Sequence, residues 1–376
     1  MRIAIICHNL RRAGGLSVGR NIVAELPEIA PMHQYLMVIP SECKYRDFRE
    51  FDNVDVLKLP PVGLLKRLYW EHGDLRRTLC DFKPDWVWSL GNFPFPNPPC
   101  RQSLLFHNSH RLYVDISRLE CSLYERFLKT IADIKLSRSL KWVGRVYCQT
   151  ETMRLRFHEV LKYPLNQISI CPNAFSRFVI QSQNWPAALE SIRGKFILLV
   201  LTNYYPHKNL DKIIDTYVKY SEDLHGTACV LTISREQGKR AAALIDRIEK
   251  EGLRKQILCV GSISQENLGD FFYAADVMFL PTLLESFSGT YLEAMQLGVP
   301  VLTSDRDFAH EVCGEAAEYI DPGSTENIKD GILRLKVDGD KRAELVRLGL
   351  KRVDRYLKSW PEILKEVLAQ EGINCV

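Results

Sequence analysis

Short apolar runs alternate along this chain with longer stretches in which apolar side chains recur at helical spacing. In the first half the runs are residues 3–6, 34–39, 54–59, 84–92, 103–107, 143–150 and 168–171. In the second half they are 196–202, 230–234, 256–264, 277–281 and 299–304. Runs of this kind, closed by Gly, Pro, Asn or Ser, predict buried strands. Between them the period predicts helices over Ser17–Leu26, 113–142, 152–161, from about Asn209, over 267–276, and from about Thr290 to a stop at Gly298. A last amphipathic stretch runs from Trp360 to Ala369. Strand–helix alternation carried this far defines an α/β protein of doubly wound, Rossmann-like type. At 376 residues the chain exceeds one ordinary domain and fits two. The proline-rich stretch FPFPNPPC, residues 93–100, reads as a surface loop, and Trp185–Ile192 as linker.

Composition narrows the class. Hydrophobic content of 46% with 26% charged residues belongs to a soluble globular protein. No apolar run reaches transmembrane length, and the start, MRIAIICHNLRRAGG, reads as a buried strand and a polar loop rather than a signal peptide. The eleven cysteines stand singly, several inside strands, as with Cys7, Cys148 and Cys259. Without a CxxC or Cys/His cluster they read as reduced core residues, and the expectation is a cytosolic protein with no structural zinc.

The formal net charge is +4, but 26 basic and 17 acidic residues precede Trp185, against 24 and 29 from there on. A basic first half attracts anionic lipid headgroups, so peripheral contact at the inner face of the cell membrane is expected. Nucleic acid is set aside because no binding module is evident. In Gly63–Leu79 the apolar Leu64, Leu65, Leu68, Tyr69 and Trp70 alternate with Lys66, Arg67, Arg76 and Arg77. That pattern suits a membrane interface, and equally a surface helix whose apolar face packs on a sheet.

The stretch with the most chemistry is LPTLLESFSGTYLEAMQLGVP, 280–300. A strand ends at Pro281, a loop carries Glu285, and a helix follows with Glu293 in its first turn, seven residues separating the two carboxylates. A helix N-terminus offers unpaired N–H groups and about half a positive charge, and the short Ser288, Gly289 and Thr290 let a phosphate approach them. Glu293 would accept from a ribose diol and Glu285 from sugar hydroxyls, an arrangement that suits a nucleotide-sugar. Acidic residues near helix N-termini are also favourable with no ligand, so context must carry the case. Gly14 and Gly15, after the first strand, allow a sharp turn and close approach to a ligand before a helix N-terminus. His107 ends a strand, where doubly wound domains place ligands. Lys208 precedes another helix and is placed to meet phosphate.

LPTLLESFSGTYLEAMQLGVPVLTSD resembles the signature of the retaining nucleotide-sugar glycosyltransferases of the GT-B fold, family four. The resemblance implies two Rossmann-like domains facing across a cleft. These would be an acceptor-binding domain over 1–178, with the helix of 357–376 packed back on it, and a donor-binding domain over 179–356. It implies that Gly15 faces the donor phosphates, that His107 lies beside the donor sugar, and that His107, Glu285 and Lys208 carry catalysis. It places the base on the backbone of Gly261, Ser262 and Ile263. Where the family has an arginine on the diphosphate this chain has Asn203, and Arg235 is the expected substitute. No cofactor and no metal are expected; residues 305–307, Asp-Arg-Asp, are not read as a metal motif. The implied reaction passes a hexosyl unit from a UDP- or GDP-linked donor to an acceptor hydroxyl, with a lipid-linked glycan of bacterial surface polysaccharide as the expected acceptor. A non-catalytic sugar-nucleotide-binding subunit, a sugar-nucleotide epimerase or phosphorylase, and a basic membrane- or nucleic-acid-binding protein remain open at this point.

Overall fold

The computed structural model describes residues 1–11, 13–46, 48, 50–62, 69–117, 123–175, 177 and 184–375. The chain forms two compact units: Met1–Ala174 together with Lys358–Val376, and Phe175–Leu357. The expected boundary at 178/179 lies outside the described residues. The expected return of the C-terminal segment to the first unit is seen.

The first unit holds a seven-stranded, all-parallel sheet in the order β3-β2-β1-β4-β5-β6-β7. Its strands are β1 (Arg2–Ile6), β2 (Gln34–Pro40), β3 (Val54–Leu59), β4 (Trp86–Ser89), β5 (Arg101–Phe106), β6 (Arg145–Cys148) and β7 (Ile168–Ile170). The central strands are apolar on both faces because helices cover both. β3, at the edge, exposes Asp55 and Lys58, charges that discourage pairing with another chain. The second unit repeats the plan with six parallel strands in the order β10-β9-β8-β11-β12-β13. These are β8 (Phe196–Val200), β9 (Thr227–Leu231), β10 (Ile257–Cys259), β11 (Val277–Leu280), β12 (Val301–Ser304) and β13 (Ala317–Ile320). In each sheet the order reverses beside its first strand, between β1 and β4 and between β8 and β11. The carboxyl ends of such strands form the ligand crevice of doubly wound domains.

Three local expectations are corrected. Within 93–100, Pro94, Phe95 and Pro96 are buried, because the amide of Gln102 holds Phe95 from both sides: Oε1 accepts its N–H at 2.7 Å and Nε2 donates to its carbonyl at 3.1 Å. The proposed linker is core: Ala187–Ile192 is a 3-10 turn whose Leu189 and Ile192 are buried in the second unit. The first helix runs over Ala13–Ile29, so it begins before Gly14. Of the basic amphipathic segment, residues 63–68, Lys66 and Arg67 among them, lie outside the described residues. The remainder follows the packing alternative, since the helix Asp74–Phe82 buries Leu75, Leu79 and Phe82 against the sheet.

The C-terminal helix, Trp360–Gln370, opens with a capping box between Ser359 and Glu362 and sends Ile363, Leu364, Val367 and Leu368 into the core of the first unit. Just beyond it, buried Glu371 accepts from Ser103 Oγ at 2.7 Å and Tyr147 Oη at 2.8 Å, with Arg145 at 3.6 Å. Ser103 in turn accepts from Trp86 Nε1 at 3.0 Å. Glu371→Ala would orphan two buried hydroxyls at about 1–3 kcal/mol each. Thermal melting is expected to show a loss of roughly 2–6 kcal/mol; an unchanged melting temperature would mean the anchor contributes nothing.

Candidate active site

The site in the second unit is built from the loops that follow β8 and β11. After β8, the backbone of Thr202 is clamped by Thr232, whose Oγ1 accepts from the Thr202 N–H at 2.8 Å and donates to the Thr202 carbonyl at 2.8 Å. Gln237 fixes the next two residues: its Oε1 accepts from the Tyr204 N–H at 2.8 Å and its Nε2 donates to Asn203 Oδ1 at 3.3 Å. Asn203 is exposed, and with its oxygen engaged it presents its amide N–H groups outward. Neither Thr232 nor Gln237 carries a sequence signal for this role, because each acts from the following strand and turn.

The loop after β11 is sewn to the turn Pro206–Lys208. The His207 carbonyl accepts from the Leu283 N–H at 2.8 Å and from Thr282 Oγ1 at 3.2 Å. This stitching brings Lys208 Nζ into an ion pair with Glu285 Oε1, the two side chains being 14% and 12% exposed. Two residues singled out separately in the sequence are thus partners. Asn209, at φ 59°, carries the chain from that turn into the helix Leu210–Lys219 and donates to the Pro322 carbonyl at 2.8 Å.

The helix of the 280–300 stretch spans Gly289–Gln296, one residue earlier than expected. Ser288 is its N-cap but makes no side-chain capping bond, so the helix N-terminal N–H groups are not capped by that residue. No acidic residue stands in the first turn: Glu293 opens the second turn, not the first as the sequence reading had it. Its carboxylate has no hydrogen bond or ion pair among the described residues, and burial pushes its pKa above the usual carboxylate range. Buried Tyr291 fastens the helix to the sheet through Thr303 Oγ1 at 2.7 Å, which donates to the Leu280 carbonyl at 2.9 Å.

Gly261 follows β10 at φ +77°, with its N–H on the Ile233 carbonyl at 3.1 Å. Ser262 is exposed and Ile263 half-buried against the core. Arg235, the expected substitute for the family's arginine, is held by carboxylates of its own unit in the free protein. Its guanidinium donates to Asp246 at 2.6 Å and Glu249 at 3.0 Å, both on the helix that follows, so its charge is already balanced.

In the first unit, His107 follows β5. Its backbone N–H donates to Asn92 Oδ1 at 2.7 Å, and Asn92 itself sits at φ 64° after β4. Burial pulls the His107 pKa down to about 4, so the ring is neutral at pH 7, and buried Nδ1 has no hydrogen-bond partner among the described residues. Gly14 and Gly15 lie in the first turn of the helix, not in a preceding turn, and neither has positive φ. Gly15 is glycine for another reason: a Cβ there would stand 3.3 Å from His107 Nε2 and 3.3 Å from Leu10 Cδ2, whereas one at Gly14 meets nothing within 4 Å. Gly14→Ala should therefore stabilise the protein by about 0.4–1 kcal/mol with activity kept. Gly15→Ala should displace the imidazole and lower kcat/KM by roughly tenfold or more. Equal behaviour of the two variants in melting and rate assays would remove the steric argument.

Comparison with known proteins places this geometry. Residues 181–352 match the family model described as glycosyl transferases group 1. O-antigen chain mannosyltransferase B of Escherichia coli is 25% identical over 294 residues, 75% of this chain and 73% of that protein. Among solved structures, Anabaena HepE in complex with UDP-glucose matches with a TM-score of 0.73 at 12% identity, over 99% of this chain and 100% of that one. WaaG, a glycosyltransferase involved in lipopolysaccharide biosynthesis, gives 0.70 at 15% identity over 98% and 99%. The chain is a glycosyltransferase of the GT-B fold. Its second unit carries the domain of the glycosyl transferases group 1, and its relatives include mannosyltransferases of O-antigen and lipopolysaccharide assembly.

Proposed function

We propose that this glycosyltransferase moves a hexosyl unit from a nucleotide diphosphate sugar, UDP- or GDP-linked, to a hydroxyl of a lipid-linked glycan in bacterial surface-polysaccharide assembly, with retention of configuration. One observation carries the donor half: Glu293, its pKa raised by burial and its carboxylate without a hydrogen bond among the described residues, lies one turn behind an N-terminus that its N-cap side chain leaves open, on the helix that follows the loop of Glu285. An uncompensated carboxylate is unfavourable in the free protein and becomes satisfied when a diol donates to it. Lys208 and the helix N-terminus would take the diphosphate, and Glu285 the sugar. The amide of Asn203 would contribute a neutral donor where the family has a cation. In the first unit, His107 offers a neutral ring nitrogen to a sugar hydroxyl.

Retention is supported by the family resemblance and by the pairing of Glu285 with Lys208, which suits electrostatic support better than nucleophilic attack. The leaving phosphate would take the acceptor proton on the same face. Its developing charge would be met by Lys208 and the helix N-terminus, without a metal; turnover should therefore persist in EDTA, measured as release of nucleotide diphosphate. The names of the relatives favour a mannosyl donor and a lipopolysaccharide-type acceptor.

The test is a panel of UDP- and GDP-hexoses, assayed for thermal stabilisation and for slow donor hydrolysis without acceptor. A donor at 100 times its Kd should add about 2.7 kcal/mol, and the same donor should be the one hydrolysed. Stabilisation with no hydrolysis and no transfer would identify a binding subunit instead, and stabilisation by no member of the panel would end the proposal.

A further inference from the structure

The helix Leu123–Ser139 in the first unit turns several apolar side chains to solvent. Phe127 is 62% exposed, Ile131 41% and Ile134 47%, with Leu128 at 40% beside them. At 3.6 residues per turn, positions 127, 131, 134 and 138 fall within roughly 60° of arc, so Phe127, Ile131, Ile134 and Arg138 form one outward stripe. The opposite face holds the buried Leu136, and the two flanks are tied down electrostatically. Lys135 pairs with the buried Glu71 at 3.1 Å, and Asp133 pairs with Arg111. Among the described residues Leu136 and two ion pairs seat the helix on the protein, and its apolar stripe is left over.

Among the described residues the unpaired charges around that stripe are basic. Arg126 and Arg138 are exposed on the helix and Lys141 is exposed just beyond it, while Asp133 is neutralised by Arg111. Among the described residues no helix is long and apolar enough to cross a membrane. A contiguous apolar stripe fringed by cations is the pattern that lies in the headgroup region of an anionic bilayer, with the rings and branched chains entering the acyl boundary and the arginines among the phosphates.

We propose that the outward face of Leu123–Ser139, centred on Phe127, Ile131 and Ile134, is the surface by which this protein docks on an anionic lipid bilayer. This deepens the reading of a lipid-borne acceptor, on which its purpose rests, and it moves the contact away from the Asp74–Phe82 helix, whose apolar face is already in the core. Docking would hold the first unit at the surface where the acceptor's glycan emerges.

The experiment is co-sedimentation of the full chain with phosphatidylglycerol/phosphatidylethanolamine vesicles and with phosphatidylcholine vesicles across a salt series, beside donor hydrolysis without acceptor and gel filtration. The expected result is partition to the anionic vesicles that weakens as salt rises. The combined variant Phe127→Ser, Ile131→Ser, Ile134→Ser should bind at least tenfold less, and Arg126→Glu with Arg138→Glu should bind less at low salt and lose much of the salt dependence. Because all five positions are exposed, both variants should keep wild-type melting and donor hydrolysis. Equal binding to neutral and anionic vesicles, no binding, or unchanged binding by the serine variant would overturn the inference. A wild-type dimer that the serine substitutions dissociate would also overturn it, by assigning the face to a second copy. Vesicle binding without hydrolysis of any donor would leave docking standing and refute the transferase reading; hydrolysis without vesicle binding would do the reverse.

Discussion

Glu285→Gln is expected to lower kcat by ~10²-fold or more while the bare nucleotide diphosphate binds at least as tightly as to the unaltered protein. The two halves of that result have different causes. Glu285 in its charged form would support the positive charge that develops on the sugar, and glutamine keeps the shape without the charge. In the free protein, however, Glu285 holds the ammonium of Lys208. A diphosphate must draw that ammonium away, so removing the competing carboxylate should favour nucleotide binding. Lys208→Ala should behave oppositely. It deletes a charge-assisted contact of ~1.5–3 kcal/mol, weakening nucleotide diphosphate binding by roughly 10- to 100-fold, and it lowers kcat as well. It also strands Glu285 at 12% exposure, so its melting temperature should fall. Isothermal titration with UDP and GDP beside initial rates separates these outcomes. If Glu285→Gln binds nucleotide worse, the pair is not a competitor for the phosphate and the division of roles fails.

Glu293→Gln should stabilise the free protein and weaken its hold on the donor. Burial raises the pKa of Glu293 in the folded state above its unfolded value. The folded protein therefore binds more protons than the unfolded chain from the ordinary carboxylate pKa up to the raised one, and it loses stability as pH rises through that window. A neutral glutamine removes the penalty. The difference in melting temperature between variant and wild type should be near zero at pH 4, grow through the window, and level off above it. With nucleotide present the order should shrink or invert, because the wild-type carboxylate then accepts from the ribose and the amide does so less well. Since the ribose is unchanged during reaction, KM should rise with kcat less affected. Melting curves at pH 4 and pH 8, with and without nucleotide diphosphate, give all four corners. A variant less stable than wild type at pH 8 without ligand would show that Glu293 serves the fold rather than the donor. Such a gain in stability from removing a binding group is the signature of a site that keeps an unfavourable charge for its ligand.

The class of fold and most of the strands were legible because period and apolar run length are local properties. The residues of the 280–300 stretch were legible because a strand end, a small-residue turn and a helix start fall together in sequence. Errors came where tertiary contacts decide. Gly14 and Gly15 read as a turn, yet both are helical, and the need for glycine at 15 comes from His107, far away in the chain. Residues 93–100 read as an exposed loop, yet Gln102 supplies the hydrogen bonds that let Phe95 enter the core. Trp185–Ile192 read as linker, yet Leu189 and Ile192 are buried in the core of the second unit and Trp185 packs against it. The pairing of Arg235 with Asp246 and Glu249 on the following helix left no signal in the sequence. Gln237 and Thr232, which hold the loop of Asn203, leave no pattern at all, because a single polar residue in a turn has many ordinary uses.

The assignment of Lys358–Val376 to the first unit has a consequence for the order in which the protein is made. On a ribosome, residues 1–174 emerge first, but the helix and the Glu371 anchor that complete their core are encoded after the whole second unit. At about 5–20 residues per second, the intervening 175–357 segment delays them by roughly 10–40 s. During that interval the groove for Ile363, Leu364, Val367 and Leu368 is uncovered, whereas the second unit has its entire sequence in one piece and can finish on its own. A premature stop just before Lys358 would thus spare the second unit and strike the half synthesised first.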